Sequence, residues 1–101
     1  MKRFSYGDEV LFDLEQIWDY IAHDDVEAAD RWIEKLLDVI EMLSRTPEIG
    51  HKRQDLTTLP LMFWSVGAYL VIYRKQVRGI EIVAVTQGAR HIPSLLSSRI
   101  P

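Results

Sequence analysis

Four arginines, Arg53, Arg74, Arg78 and Arg90, fall in stretches that read as loops or strand ends, with Lys52 and Lys75 beside them. A guanidinium offers planar, paired donors and stays charged, so such a set suits gripping a phosphate or a carboxylate. The same groups could stabilise the pentavalent phosphorus of an RNA-cleavage transition state, provided that a general acid–base stood with them. The plain alternative is that they keep strand edges from pairing with other chains. His23, His51 and His91 share no helical i,i+4 spacing and the chain has no cysteine, which argues against a metal site. No glycine-rich phosphate loop and no G-x-S-x-G elbow occurs. Ser65, Thr86, Ser94, Ser97 and Ser98 have no evident base and acid partners, so each reads as structural. No cofactor is expected.

The charge around these cations is split. The chain has 101 residues and a net charge of −3, but residues 1–43 carry 12 acidic and 4 basic side chains while residues 44–101 carry 3 acidic and 8 basic. An acidic half and a basic half suggest two faces with different partners, the basic one attractive to phosphate. Length and a 48% apolar content predict one domain spanning residues 1–101, with a real core. The start, MKRFSYGDEVLF, has no apolar leader region and no run approaches the roughly 20 residues of a membrane helix. Without cysteines the chain suits a reducing compartment, and a cytoplasmic location away from membranes is expected.

Two helices and three strands must position the cations. In FSYGDEVLFDLEQIWDYIAHDD, Leu11, Leu14, Ile17, Trp18 and Ile21 recur at helical spacing, with Ser5 and Asp8 at capping-box distance. A short edge strand, KRFSY, precedes them. In DDVEAADRWIEKLLDVIEMLSRTP, Asp24 and Glu27 repeat the capping-box spacing before a stripe of Val26, Ala29, Trp32, Ile33, Leu36, Leu37, Ile40 and Leu43. Pro47 should end this helix near Ser44 or Arg45. The link between the helices is so short that they form an αα-hairpin. Trp18 and Trp32 are assigned to the core, and Phe12 projects from the polar face among Glu9, Asp13 and Gln16. After a loop over TPEIGHKRQDLTTLP come strands at 61–65, 68–74 and 80–87, too closely joined for parallel crossovers. The expected fold is α+β: an N-terminal αα-hairpin packed on a small antiparallel β-sheet, with a short C-terminal helix in PSLLSSRIP.

In this order, the stretches DLEQIWDYIA, AADRWIEKLLDVIEML, PEIGHKRQDL, FWSVGAYLVIYR and GIEIVAVTQGARHI resemble the ParE branch of the RelE/ParE toxin superfamily, over roughly residues 6–93. The resemblance implies the toxin of a type II toxin–antitoxin module, of the kind named for plasmid stabilisation, joined in a hetero-oligomer with its antitoxin. That partner would be ParD-like, with a DNA-binding N-terminal domain, so contact with DNA would be indirect. The ParE branch implies poisoning of DNA gyrase; the RelE branch implies ribosome-dependent cleavage of messenger RNA. RelE-like nucleases have an arginine just before the strand that opens with a glycine, where this chain has LPLMFWSVG with Met62 to Trp64. Arg90 in GAR matches a second RelE arginine, but no tyrosine follows in HIPSLLSSRIP, and His91 alone could move a proton there.

The ParE reading is therefore preferred, with Arg53, Arg74, Arg78 and Arg90 as expected target contacts. Lys52, Arg90 and His91 would be the working groups of a nuclease, and a degenerate, non-toxic antitoxin partner is the third reading. Phe12 and Tyr20, with Asp13, Asp19 and Glu34 on the acidic helix face, are the expected antitoxin contacts.

Overall fold

The computed structural model describes residues 3–100 of the chain. Strand β1 (Phe4–Tyr6) leads into α1 (Val10–Ala22) and α2 (Val26–Arg45), then a single 3-10 turn at Pro47–Ile49. Strands β2 (Met62–Val66), β3 (Tyr69–Gln76) and β4 (Gly79–Gln87) follow, and α3 (Ile92–Arg99) closes the described chain. None of the described helices is long and apolar enough to cross a membrane.

Both helices start later than their capping-box spacing predicts, α1 by four residues and α2 by one. Ser5 lies within β1, and the N–H of Gly7 donates to the Ile82 carbonyl at 2.8 Å, so sheet pairing takes the segment that a cap would have used. The N-cap of α1 is Glu9, with no side-chain capping bond. In α2 the cap is Asp25, not Asp24; its carboxylate accepts the Ala28 N–H at 3.0 Å. The buried stripe of α1 is Val10, Leu14 and Ile17 with Asp13 among them, while Leu11, expected inside, is 64% exposed. On α2, Ala29, Leu36, Ile40 and Leu43 are buried, whereas Val26 and Leu37 stay exposed. The helix ends at Arg45, two residues before Pro47, as the proline restriction requires.

The sheet order is β1-β4-β3-β2. Strands β2, β3 and β4 form the expected antiparallel meander, and β1 adds a parallel edge through Phe4 to Tyr6 on Ile80 to Ile82, so the sheet is mixed. Short turns set the meander. Gly67 opens the two-residue β2–β3 turn at φ 58°, and Gly79 takes φ 93° where β4 begins. Both faces of the sheet are covered, which accounts for the almost unbroken apolar strands. Tyr69, Val71, Tyr73, Ile80, Ile82 and Val85 face the helical hairpin. Phe63, Leu70, Ile72, Val83 and Ala84 face Leu61 and the α3 residues Ile92, Leu95 and Leu96. Opposite the Ile72–Tyr73 step, pairing jumps from Ala84 to Ile82, so Val83 is an extra residue in β4. This bulge turns Val83 and Ala84 to the same side.

Tyr73 ties the long loop to the sheet. Its hydroxyl donates to the Pro47 carbonyl at 2.7 Å and accepts the Gly50 N–H at 3.0 Å. Burial raises its pKa above the ordinary tyrosine value; the Gly50 N–H pulls it down and the charge of Glu48 pushes it up. Burial also raises Tyr6 and Tyr69. An unfolded tyrosine ionises near pH ~10. The folded one holds its proton longer, so this contribution to stability is complete below about pH 10 and is lost as pH rises through the folded pKa. Urea midpoints measured from pH 7 to pH 11 should therefore fall at the alkaline end. Tyr73→Phe should flatten that fall while costing about 1–2 kcal/mol at neutral pH, through the two lost hydrogen bonds.

Candidate functional site

The fold distributes the predicted cations and does not gather them. Arg53 is answered within its own loop by Asp55, at 2.9 and 2.7 Å, and the pair raises the guanidinium pKa and lowers that of the carboxyl. Arg74 bonds its cross-strand neighbour Glu81 at 2.6 Å. Lys75 reaches Glu48 at 3.6 Å. Arg78 sits in the β3–β4 turn beside a fully exposed Val77. Arg90 follows the far end of β4, where Gln87 pairs with Tyr69. From Tyr69 to Arg74 the strand runs about 17 Å, so Arg74 and Arg90 lie at opposite ends of the ladder. Among the described residues, Lys52, Arg78 and Arg90 make no ion pair.

Of the groups required for RNA cleavage, Arg90 and His91 are neighbours, but Lys52 lies across the sheet from them. His51 forms a bridge with Phe63 and stacks on Trp64, ring centroids 5.9 Å apart and nearly parallel. Strands β2 and β3 thus stand between the Lys52 segment and β4. His91 is the N-cap of α3: its Nδ1 lies 2.7 Å from Ser94 Oγ and 3.4 Å from the Ser94 N–H it accepts. His91 is thus a partner for Ser94, and the H-x-x-S spacing of a helix cap is its signal in the sequence. No acidic side chain orients His91 among the described residues, and the pairing is that of a cap. The stretch in which the RelE arginine would stand is packed: Met62 and Trp64 are half-buried against the hairpin-side core. No cluster of described residues could hold a metal ion.

The expected antitoxin contacts divide. Phe12 and Tyr20 are 58% and 69% exposed on α1, and Asp19 and Glu34 are exposed as well. Asp13 does not belong with them. It is 4% exposed, and its carboxylate takes the Arg99 guanidinium at 2.8 and 2.5 Å and the Val85 N–H at 3.0 Å. Arg99 also donates to the Val83 carbonyl at 3.0 Å and pairs with Glu9. Its pKa is raised, chiefly by the bond to Asp13. Physically, β1 ends at Tyr6 and leaves the bulged edge of β4 without a neighbouring strand; the Asp13–Arg99 pair takes up that edge's polar groups. Nothing local in the sequence links two residues 86 positions apart, so this pairing was invisible there.

Exposed Leu11 and Leu37 flank an apolar groove of about 400 Å³ where the helical hairpin meets Tyr6 of β1, lined also by Leu14, Trp18 and Ile33. Trp18 is half-buried there, its indole N–H donating to Asp30 at 2.8 Å across the hairpin, while Trp32 packs edge-on to Tyr69 in the core. Glu15 lines the groove, and exposed Glu34 and Asp38 lie on the same helix as Ile33 and Leu37. The groove and the acidic helical surface make an apolar seat with a negative border.

A family model described as the ParE toxin of the type II toxin–antitoxin system parDE matches residues 5–92. A search of curated proteins found no match. Among solved structures, a chain from "Chromosomal ParDE TA system from P. aeruginosa" superposes with a TM-score of 0.70 at 16% identity, over 86% of this chain and 96% of that one. At that identity the likeness is one of fold.

Proposed function

We propose, for a chain that belongs to the ParE toxin family of type II toxin–antitoxin systems, that it arrests growth by binding DNA gyrase and catalyses no reaction of its own. The dispersal of its cations carries this reading. Arg74 and Arg90 stand at opposite ends of the β3–β4 ladder, and the histidine beside Arg90 caps a helix. Phosphoryl-transfer chemistry needs its charge stabilisers and its acid–base within hydrogen-bond reach of one phosphorus. A surface contact with a large partner does not. Arg78 and Arg90, which have no ion pair among the described residues, are the best candidates for that contact.

The same reading gives the chain a cognate antitoxin that neutralises it in a hetero-oligomer. The apolar groove with its negative border suits a partner segment that is apolar on one side and basic at its flanks. Expressed alone, the chain should reduce colony formation by orders of magnitude, and co-expression of the antitoxin should restore it. Unimpaired growth would instead mark a degenerate toxin. Primer extension on messenger RNA after induction should reveal no new cleavage sites, and new sites that disappear in an Arg90→Ala/His91→Ala variant would establish a nuclease.

A further inference from the structure

We propose that the cleft between α1 and the uncovered end of β4 receives an extended, carboxylate-bearing segment of a partner polypeptide, added to β4 as a strand and held at Arg90. The cleft is about 430 Å³ and is bounded by Gln16, Ile17 and Tyr20 on one side and by Val85, Gln87 and Arg90 on the other. β4 is an inner strand only where β1 lies beside it, at Ile80 to Ile82. Asp13 and Arg99 then satisfy the Val85 N–H and the Val83 carbonyl. Beyond them the edge is open.

Antiparallel pairing sends the backbone groups of alternate residues to the same side. The Val85 N–H points away from β3, to Asp13. The N–H of Gln87 therefore points the same way, while that of Gly88 turns back to the Ala68 carbonyl at 2.9 Å. Among the described residues the Gln87 N–H has no acceptor, and the Val85 carbonyl shares its side. One free donor and one free acceptor two residues apart are what strand addition requires.

Charge decides the occupant. The Asp13 carboxylate in the cleft wall is neutralised by Arg99, and Arg90 is the cation on the rim, without ion pair or side-chain hydrogen bond among the described residues. An extended segment with alternating apolar and acidic residues would lay its apolar side chains over Ile17 and its carboxylates toward Arg90 and the exposed Tyr20 hydroxyl. This site does not depend on gyrase as the target.

The test uses the full chain, isotope-labelled for NMR, and a short capped peptide alternating valine and glutamate. The Gln87 amide should shift and its solvent exchange should slow as peptide is added. Arg90→Glu should weaken binding about tenfold or more, the size of a lost charge-assisted hydrogen bond. A peptide methylated on its backbone nitrogens, or one with lysine in place of glutamate, should bind much less. An unmoved Gln87 amide, or equal binding by the Arg90→Glu variant or the methylated peptide, would overturn the proposal. So would concentration-dependent protection of Gln87 without peptide, which would assign the edge to a second copy of the chain.

Discussion

Asp13→Ala is expected to cost about 3–5 kcal/mol of folding stability, the usual loss when one partner of a buried ion pair is removed. Arg99 has a side chain only 9% exposed and would keep its charge with only the more exposed Glu9 to answer it. The Val85 N–H would lose its acceptor at the same time. Against a total stability of about 5–15 kcal/mol, this would bring the protein close to unfolding under ordinary conditions. The double variant Asp13→Leu/Arg99→Leu separates the two causes. Replacing both charges by apolar side chains relieves the desolvation penalty, so part of the loss should return. Recovery should stay incomplete, because the Val83 carbonyl and Val85 N–H remain without partners at about 1–3 kcal/mol each. Urea unfolding of both single variants and the double variant measures this directly. An Asp13→Ala loss below about 1 kcal/mol would mean that water, and not the ion pair, serves the bulged edge.

Gly79→Ala should be the most damaging glycine substitution, at about 3 kcal/mol from backbone strain and overlap together. Gly79 has φ 93°, outside the range that a residue with a Cβ adopts comfortably, and that Cβ would lie 1.8 Å from the Arg3 carbonyl oxygen. The same oxygen accepts the Ile80 N–H at 2.9 Å. The alanine would therefore displace β1 from the strand it pairs with. Hydrogen exchange should show the Ile80 and Gly7 amides losing protection while the β3 amides keep theirs. Gly67→Ala is the contrast: its φ of 58° lies in the left-handed region, and its Cβ would meet the edge of the Trp32 ring at 2.8 Å. A ring edge can shift where a backbone oxygen in a ladder cannot, so about 1 kcal/mol is expected there.

The legible parts of this fold were those encoded by short-range pattern. The two helices, the closely joined meander and the C-terminal helix follow from apolar periodicity, turn residues and Pro47. The phase of α1 was missed because the sheet claimed Ser5 and Gly7, and Leu11 was thereby left outside while Val10 went in. The bulge at Val83 was hidden because Val83, Ala84 and Val85 are all apolar, so the change of face leaves no mark in the sequence. Asp13 was misplaced for the opposite reason: it has the composition of a solvated helix face, and only the arrival of Arg99 from the far end of the chain makes it a core residue. The candidate contact surface was legible residue by residue, as arginines at loops and strand ends. That these arginines point to different ends of the sheet depends on register, which the sequence does not spell out.

Gyrase is the proposed target of this ParE-family chain. The most direct test of that target is a supercoiling assay with purified gyrase, relaxed plasmid and the purified chain added from substoichiometric amounts to excess. Supercoiling should be lost as the chain approaches stoichiometry with gyrase, less so for Arg78→Glu and Arg90→Glu, and added antitoxin should restore it. Full supercoiling at a stoichiometric excess of folded toxin would contradict gyrase as the target.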